Sequence, residues 1–457
     1  MSRYYVGTIF DTPERNKLRV VEDALIVVDE CGVITAVLDR KVDGETYDKM
    51  LQEGEQSPHG VRRLAKGQYW MPGLVDLHVH APQWPQLGKA LDKPLEYWLQ
   101  ECTFPLEAKY SDVAFAQRSY SSLVSTLLAC GTTTVAYFAS IHLEASILLA
   151  KICVEKGQRA VVGRVAMDLP DQCPEYYRDP SPAESIARSE EFIQKVRQLP
   201  HNEAQLVLPA VIPRFIPSCS HEALEGLGKL VSKYDCHVQT HCSESDWEHH
   251  HVINRYHKHD AFALDDFGLL TRRTVLAHGN YISTEDFHLI KERGSAVAHC
   301  PLSNVYFSDA VFPLRKALDM GVRVGMGTDI SGGPSPSLFE VCRHAISSSR
   351  MMEDGTDPNL SKEERSAQKN VRSNPIEAFY VTTCMGGEAL NLKVGRLAAG
   401  YHFDAIVVDT TRPNTGLCVF EEIDSLEDVF QKIIYNVSGT HIRETFVNGK
   451  SVYTNPS

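Results

Sequence analysis

At 457 residues, 43% hydrophobic and 23% charged, the chain has an ordinary globular composition and the length for a large core. Its formal charge is 46 − 59 = −13, and no Lys/Arg cluster is longer than Arg62-Arg63 or Arg272-Arg273, which excludes the electrostatic footprint of a nucleic-acid binder. No apolar run approaches the roughly 20 residues that a membrane-spanning helix needs, so a free small molecule is the expected ligand.

The first 67 residues hold short β-type runs (Tyr4–Phe10, Leu25–Val28, Val33–Leu38), with Lys41–Arg63 read as loops and one short helix. From about Gln68 strand and helix alternate. Strands are expected at Trp70–His80, Thr132–Phe138, Ala160–Ala166, Leu206–Ile212, His237–His241, Thr274–His278, Ser295–His299 and Arg323–Thr328. Helical spacing fills Ala114–Ala129, Pro182–Gln198, His221–Tyr234 and Thr284–Arg293. Eight such units predict an α/β fold, a (β/α)8 TIM barrel; the competing doubly wound sheet wants a GxGxxG turn, which is absent. After Leu392 β-type runs return at Gly395–Gly400, Phe403–Val408 and Thr445–Tyr453. The expected organisation is a metal-dependent barrel over 68–392, flanked by a small composite β-sandwich domain built from 1–67 and 393–457. The 12 cysteines are scattered without a CxxC pair, as reduced thiols of a cytoplasmic protein would be.

Chemistry in such barrels gathers at the C-terminal strand ends. The first ends in His78-Val-His80, two imidazoles on one face because strand side chains alternate. The fourth ends in Arg214-Phe215, the fifth in His241 followed by Glu244, the sixth in His278 and the eighth in Asp329. Any one of these histidines alone reads equally well as a core residue. Four of five ends offering a metal-capable group point instead to one divalent cation held by His78, His80, His241 and Asp329. Three imidazoles and a carboxylate suit zinc, with iron as the alternative. Arg214 stands where a second metal would want a bridging ligand, and arginine cannot be deprotonated to act as one, so a single ion is expected. His249, His250, His251, His257 and His259 are read as a solvated helix face, and His299 as either an orienting or a core group. His142-Leu-Glu144 mimics the HxE of cytidine-type deaminases, but the required PCxxC is missing.

The stretches MPGLVDLHVHAPQ (71–83), TFP (103–105), GTTTVAYFASIH (131–142), PRF (213–215), HCSES (241–245), AHG (277–279), AHCPLSN (298–304) and GMGTDISGG (325–333) together resemble the amidohydrolase superfamily. Within it, Gln83, PRF and the HxxE of the fifth strand resemble the guanine deaminase family; Pro82, Leu302 and the proline-rich loop after Gly333 depart from its pattern. The resemblance implies a hydrolase of cyclic amidine C–N bonds that turns guanine into xanthine and ammonia in purine catabolism, with one zinc per chain, as a homodimer. It implies Asp329 as first proton acceptor, Glu244 as the group that protonates the ring nitrogen N3, and His278 as the group that orients water and stabilises the oxygen at C2. Gln83, Arg214 and Phe215 are then expected to bind the purine beside His241, Arg214 donating to O6 and so rejecting adenine. The alternatives are a sister aminohydrolase acting on cytosine, a pterin, a triazine or 8-oxoguanine, and a metal-free scaffold relative. Retention of every ligand and of Glu244 argues against the scaffold.

Overall fold

The computed structural model describes residues 1–366 and 368–456, and two sheets organise it. One is an eight-stranded parallel sheet taken in chain order: Leu74–His80, Thr132–Phe138, Arg159–Ala166, Val207–Pro213, His237–Cys242, Thr274–His278, Ala296–His299 and Arg323–Met326. Nearly all of their residues are buried, as expected of parallel strands covered by helices on one side and barrel core on the other. The first and eighth strands close the ring just past the ladder. Asp329 N–H donates to the His78 carbonyl (2.9 Å), and His80 N–H donates to the Ile330 carbonyl (3.0 Å). Asp76 reinforces that seam from inside, its carboxylate accepting from Thr328 N–H at 3.0 Å and from the Thr328 hydroxyl at 2.7 Å. The expected (β/α)8 barrel is therefore present.

The second sheet draws on both termini, in the order Lys450–Thr454, Ile442–Val447, Ala405–Asp409, Gln68–Pro72, Arg3–Glu14, Lys17–Val28, Ile34–Asp39, with Val61–Arg63 beside Arg3–Glu14. Three expectations change in detail. The run Trp70–His80, read as one strand, is two: Gln68–Pro72 pairs with Ala405–Asp409 in the terminal sheet, and Leu74–His80 begins the barrel. Gly73 is the joint, and a Cβ there would come within 2.3 Å of Thr133 Oγ1, so only glycine lets the two sheets meet. Thr445–Tyr453 is a hairpin, reversed at Asn448-Gly449 with φ of 50° and 73°, the left-handed pair that a two-residue hairpin turn requires. Gly395–Gly400 forms no strand, and a helix, Leu426–Asn436, started by a Ser425/Asp428 capping box, interrupts the C-terminal β segment.

Among the described residues all 12 cysteines are unpaired, and no helix is long and apolar enough to cross a membrane.

Candidate active site

The barrel delivers its strand ends to one point. His80 Nε2 lies 3.0 Å from His241 Nε2; Asp329 Oδ1 lies 3.3 Å from His78 Nε2 and 3.6 Å from His80 Nε2. His278 joins from the sixth strand, its Nε2 3.6 Å from Glu244 Oε1 and 4.0 Å from Asp329 Oδ2. Ligand-capable atoms of His78, His241 and His278, and likewise of His78, His80 and Asp329, lie within 4.8 Å of one another. Phe138 packs beneath, its ring against those of His78, His80 and His241.

These groups fit a divalent cation. Burial, with neighbouring positive charge, holds His80 and His241 well below the ordinary imidazole range, so both are neutral donors. Their Nε2 atoms face each other, and the buried Nε2 atoms of His78 and His278 have no hydrogen-bond partner. Four ring nitrogens and a carboxylate converging on one point, with few partners of their own in the protein, fit a divalent metal. The outward nitrogens fix that orientation. His78 Nδ1 meets Gln239 Oε1 (3.2 Å), His241 Nδ1 meets the Arg214 carbonyl (2.6 Å) and His278 Nδ1 meets Asn304 Oδ1 (2.9 Å), the supporting contacts expected around metal-ligating histidines. Asp329 is ionised: burial opposes its charge, but His78 and His278 outweigh burial and hold the carboxyl below its ordinary value. Glu244 goes the other way, pushed up to about 8 by burial and then by the Asp329 charge. Two carboxyls with opposite shifts in one cleft make an acid and a base. Asp329 and His278 hold left-handed backbone, with φ of 48° and 71°, strain of about 1–3 kcal/mol each that clusters at working sites.

Over this floor opens a cleft lined by His80, Gln83, Arg214, Phe215, His241, Glu244 and Asp329, with Leu95, Trp98, Leu99 and Phe307 as its apolar wall. Every residue singled out from sequence for the site therefore either lines the cleft or, as His78 and His278, lies directly beneath it.

One buried acid at the site was not among the residues singled out from the sequence. Glu107, fully buried on the short helix Phe104–Ala108, grips Arg214 with both carboxylate oxygens (2.7 and 3.2 Å) and accepts from Gln83 Nε2 at 2.9 Å. Gln83 Oε1 accepts from Ser331 N–H at 3.1 Å. Arg214 and Gln83 are thus ion-paired and hydrogen-bonded within the protein while also facing the cleft. A carboxylate inside the apolar run Thr103–Ala108 was the available signal; it went unread because it sits on no barrel strand. The histidine-rich stretch is only partly a solvated face. His250 and His257 are exposed, whereas His249 and His259 are half-buried, His249 beside Ser243 and His259 against Asp286. His299 is a core group, its ring 5.3 Å from that of Phe312.

The amidohydrolase family model matches residues 69–452. A guanine deaminase of Dictyostelium discoideum is 33% identical over 98% of this chain and 98% of its own length, and one of Homo sapiens is 34% identical over 99% and 97%. Among solved structures, a guanine deaminase from C. acetobutylicum with guanine bound in its active site superposes with a TM-score of 0.86 at 32% identity, covering 99% of this chain and all of that one.

Proposed function

The chain belongs to the amidohydrolase family, and from that premise we propose that it is a zinc-dependent guanine deaminase, hydrolysing guanine to xanthine and ammonia. The observation that carries this reading is the cleft itself: an Asp329 carboxyl held below its ordinary value and a Glu244 carboxyl pushed up to about 8, beside a buried histidine cluster, in a cleft also lined by Gln83, Arg214 and Phe215. Near full-length likeness to guanine deaminases supports guanine over another aminated heterocycle. A cytoplasmic homodimer belongs to the same proposal.

His78, His80, His241 and Asp329 would hold the ion. When bound, zinc supplies the Lewis acidity that lowers a water's pKa from 15.7 toward about 7. The chain's own groups move the protons. Asp329, ionised, accepts the first proton from water. Glu244, protonated near neutrality, gives its proton to ring nitrogen N3, which makes C2 electrophilic. After oxygen adds at C2, Asp329 returns its proton to the exocyclic amine, which leaves as ammonia while the proton of the C2 hydroxyl passes to Glu244. His278 bonds Asn304 through Nδ1–H, so its Nε2 carries a lone pair. It therefore orients water by accepting a hydrogen bond, and donates to the oxygen at C2 only once protonated. Arg214 and Gln83 keep donors and a lone pair beyond those used on Glu107 and Ser331. Those remaining groups meet the O6 edge of the purine, and Phe215 lies alongside the ring.

The test is loss of guanine absorbance with stoichiometric ammonia release by the purified chain. A chelator abolishes turnover and added zinc restores it. Adenine, which presents an amine to Arg214, reacts slower by about 10⁴-fold or more. Cytosine, pterin or triazine turnover exceeding that of guanine would replace this reading.

A further inference from the structure

The Glu244 carboxylate makes no hydrogen bond to the protein short of its 3.6 Å approach to His278, so its aim depends on the backbone that carries it. That backbone is pinned at every polar group. Ser243 N–H donates to Asp260 Oδ1 (3.2 Å), and the Ser243 carbonyl accepts from Tyr281 N–H (3.2 Å). Glu244 N–H donates to Glu248 Oε2 (2.8 Å), and its carbonyl accepts from Asn280 Nδ2 (2.9 Å). Ser243 sits at φ 48°, a left-handed turn that a serine does not adopt unaided. Two buried acids thus hold the two N–H groups of this turn, and the Ser243 hydroxyl adds a second bond to Asp260 at 3.1 Å.

The two acids also touch each other. Glu248 and Asp260 hold neighbouring N–H groups of this one turn and interact with each other, both essentially without solvent exposure, and Glu248 Oε1 accepts no hydrogen bond. Two adjacent buried carboxylates cannot both ionise, so one acid O–H fills the contact. Counting donors says which acid carries it. Asp260 accepts from the Ser243 N–H, the Ser243 hydroxyl and its own backbone N–H, whereas Glu248 accepts only from Glu244 N–H. Three donors favour the anion on Asp260, and the proton stays on Glu248. Burial pushes both carboxyls up, Asp260 to about 7 and Glu248 well above the ordinary carboxyl range, so the pair keeps a proton at neutral pH.

We propose that Glu248 and Asp260 form a one-proton carboxyl pair that clamps the Ser243–Glu244 turn and so positions Glu244 for proton transfer, an assignment resting on the deaminase reading above. Both are positioning residues; neither touches the substrate cleft.

The experiment compares the zinc-loaded full chain with E248A and E248Q. E248A lowers kcat on guanine by about 10²-fold, the scale on which a misaimed catalytic group slows reaction, while zinc content and competitive inhibition by xanthine hold. E248Q recovers most of the loss, because its amide N–H replaces the acid O–H toward Asp260 and its carbonyl still accepts from Glu244. E248Q as slow as E248A, or E248A as fast as the parent, overturns the pair. If E248A does not fold, S243A, which deletes the hydroxyl contacts to Asp260 and His249 and leaves the backbone clamp, carries the test: kcat falls with KM held, and an unaltered kcat overturns the proposal. A parent chain inert on guanine refutes the deaminase reading instead. The clamp is then judged by amide hydrogen exchange at Ser243 and Glu244, which E248A accelerates and E248Q does not; equal exchange in both overturns it.

Discussion

Glu107 and Arg214 form a two-pronged ion pair with both side chains at most 3% exposed, and the same carboxylate holds the Gln83 amide. The substrate-facing groups are therefore preset before any purine arrives. Rigid prior placement of this kind raises affinity by reducing what must be ordered on binding. It also fixes which donors remain for a ligand carbonyl.

Glu107→Gln removes the charge that holds Arg214. KM for guanine should rise by about tenfold or more, the scale of a lost charge-assisted hydrogen bond, and the preference for guanine over 2-aminopurine, which lacks O6, should shrink. Steady-state kinetics on both substrates checks this. An unaltered preference would remove Glu107 from recognition.

Glu244→Gln should keep its zinc and lose about 10²–10⁴-fold in kcat, the usual contribution of a positioned proton donor. Metal analysis and turnover on one preparation separate the two effects. Full activity with zinc bound would leave the N3 proton to some other group.

Thr328→Val tests the barrel seam. It deletes the 2.7 Å hydroxyl bond to the fully buried Asp76 and leaves that carboxyl short of a donor, at a loss of about 1–3 kcal/mol. The apparent thermal midpoint should drop. A midpoint equal to the parent's would mean that the backbone bonds of Asp329 and His80 close the barrel unaided.

His237, at the start of the fifth strand, bonds the Leu390 carbonyl at 2.9 Å and is lowered to about 4 by burial. The unfolded chain takes up a proton near pH 6.5, which the folded chain refuses until about 4. Its stabilising effect is therefore whole above 6.5 and lost as pH falls through that window, amounting to roughly 3 kcal/mol for 2.5 units at 1.36 each. His237→Gln, which keeps a donor for Leu390, should unfold in acid at a lower pH than the parent. Coincident acid transitions would refute this.

The barrel and its metal-capable residues were legible in the chain because both are written locally. Apolar runs and helical spacing repeat within a few positions, and HxH, HxxE and the late Asp329 stand at the ends of those runs. The hairpin at Asn448-Gly449 lies inside the β-type run Thr445–Tyr453, where its turn residues stand in plain view. The break at Gly73 was not visible: whether Gln68–Pro72 continues the barrel or joins the terminal sheet depends on Ala405–Asp409, more than 300 positions away. The same holds for what surrounds the site. Glu107 reaches Arg214 across 107 positions, and Asp260 reaches back 17 to Ser243; neither spacing has a period. Backbone geometry can be read from neighbours along the chain, since sterics act locally. Which buried polar group answers which other becomes defined only once packing has removed water and left each donor a single place to go.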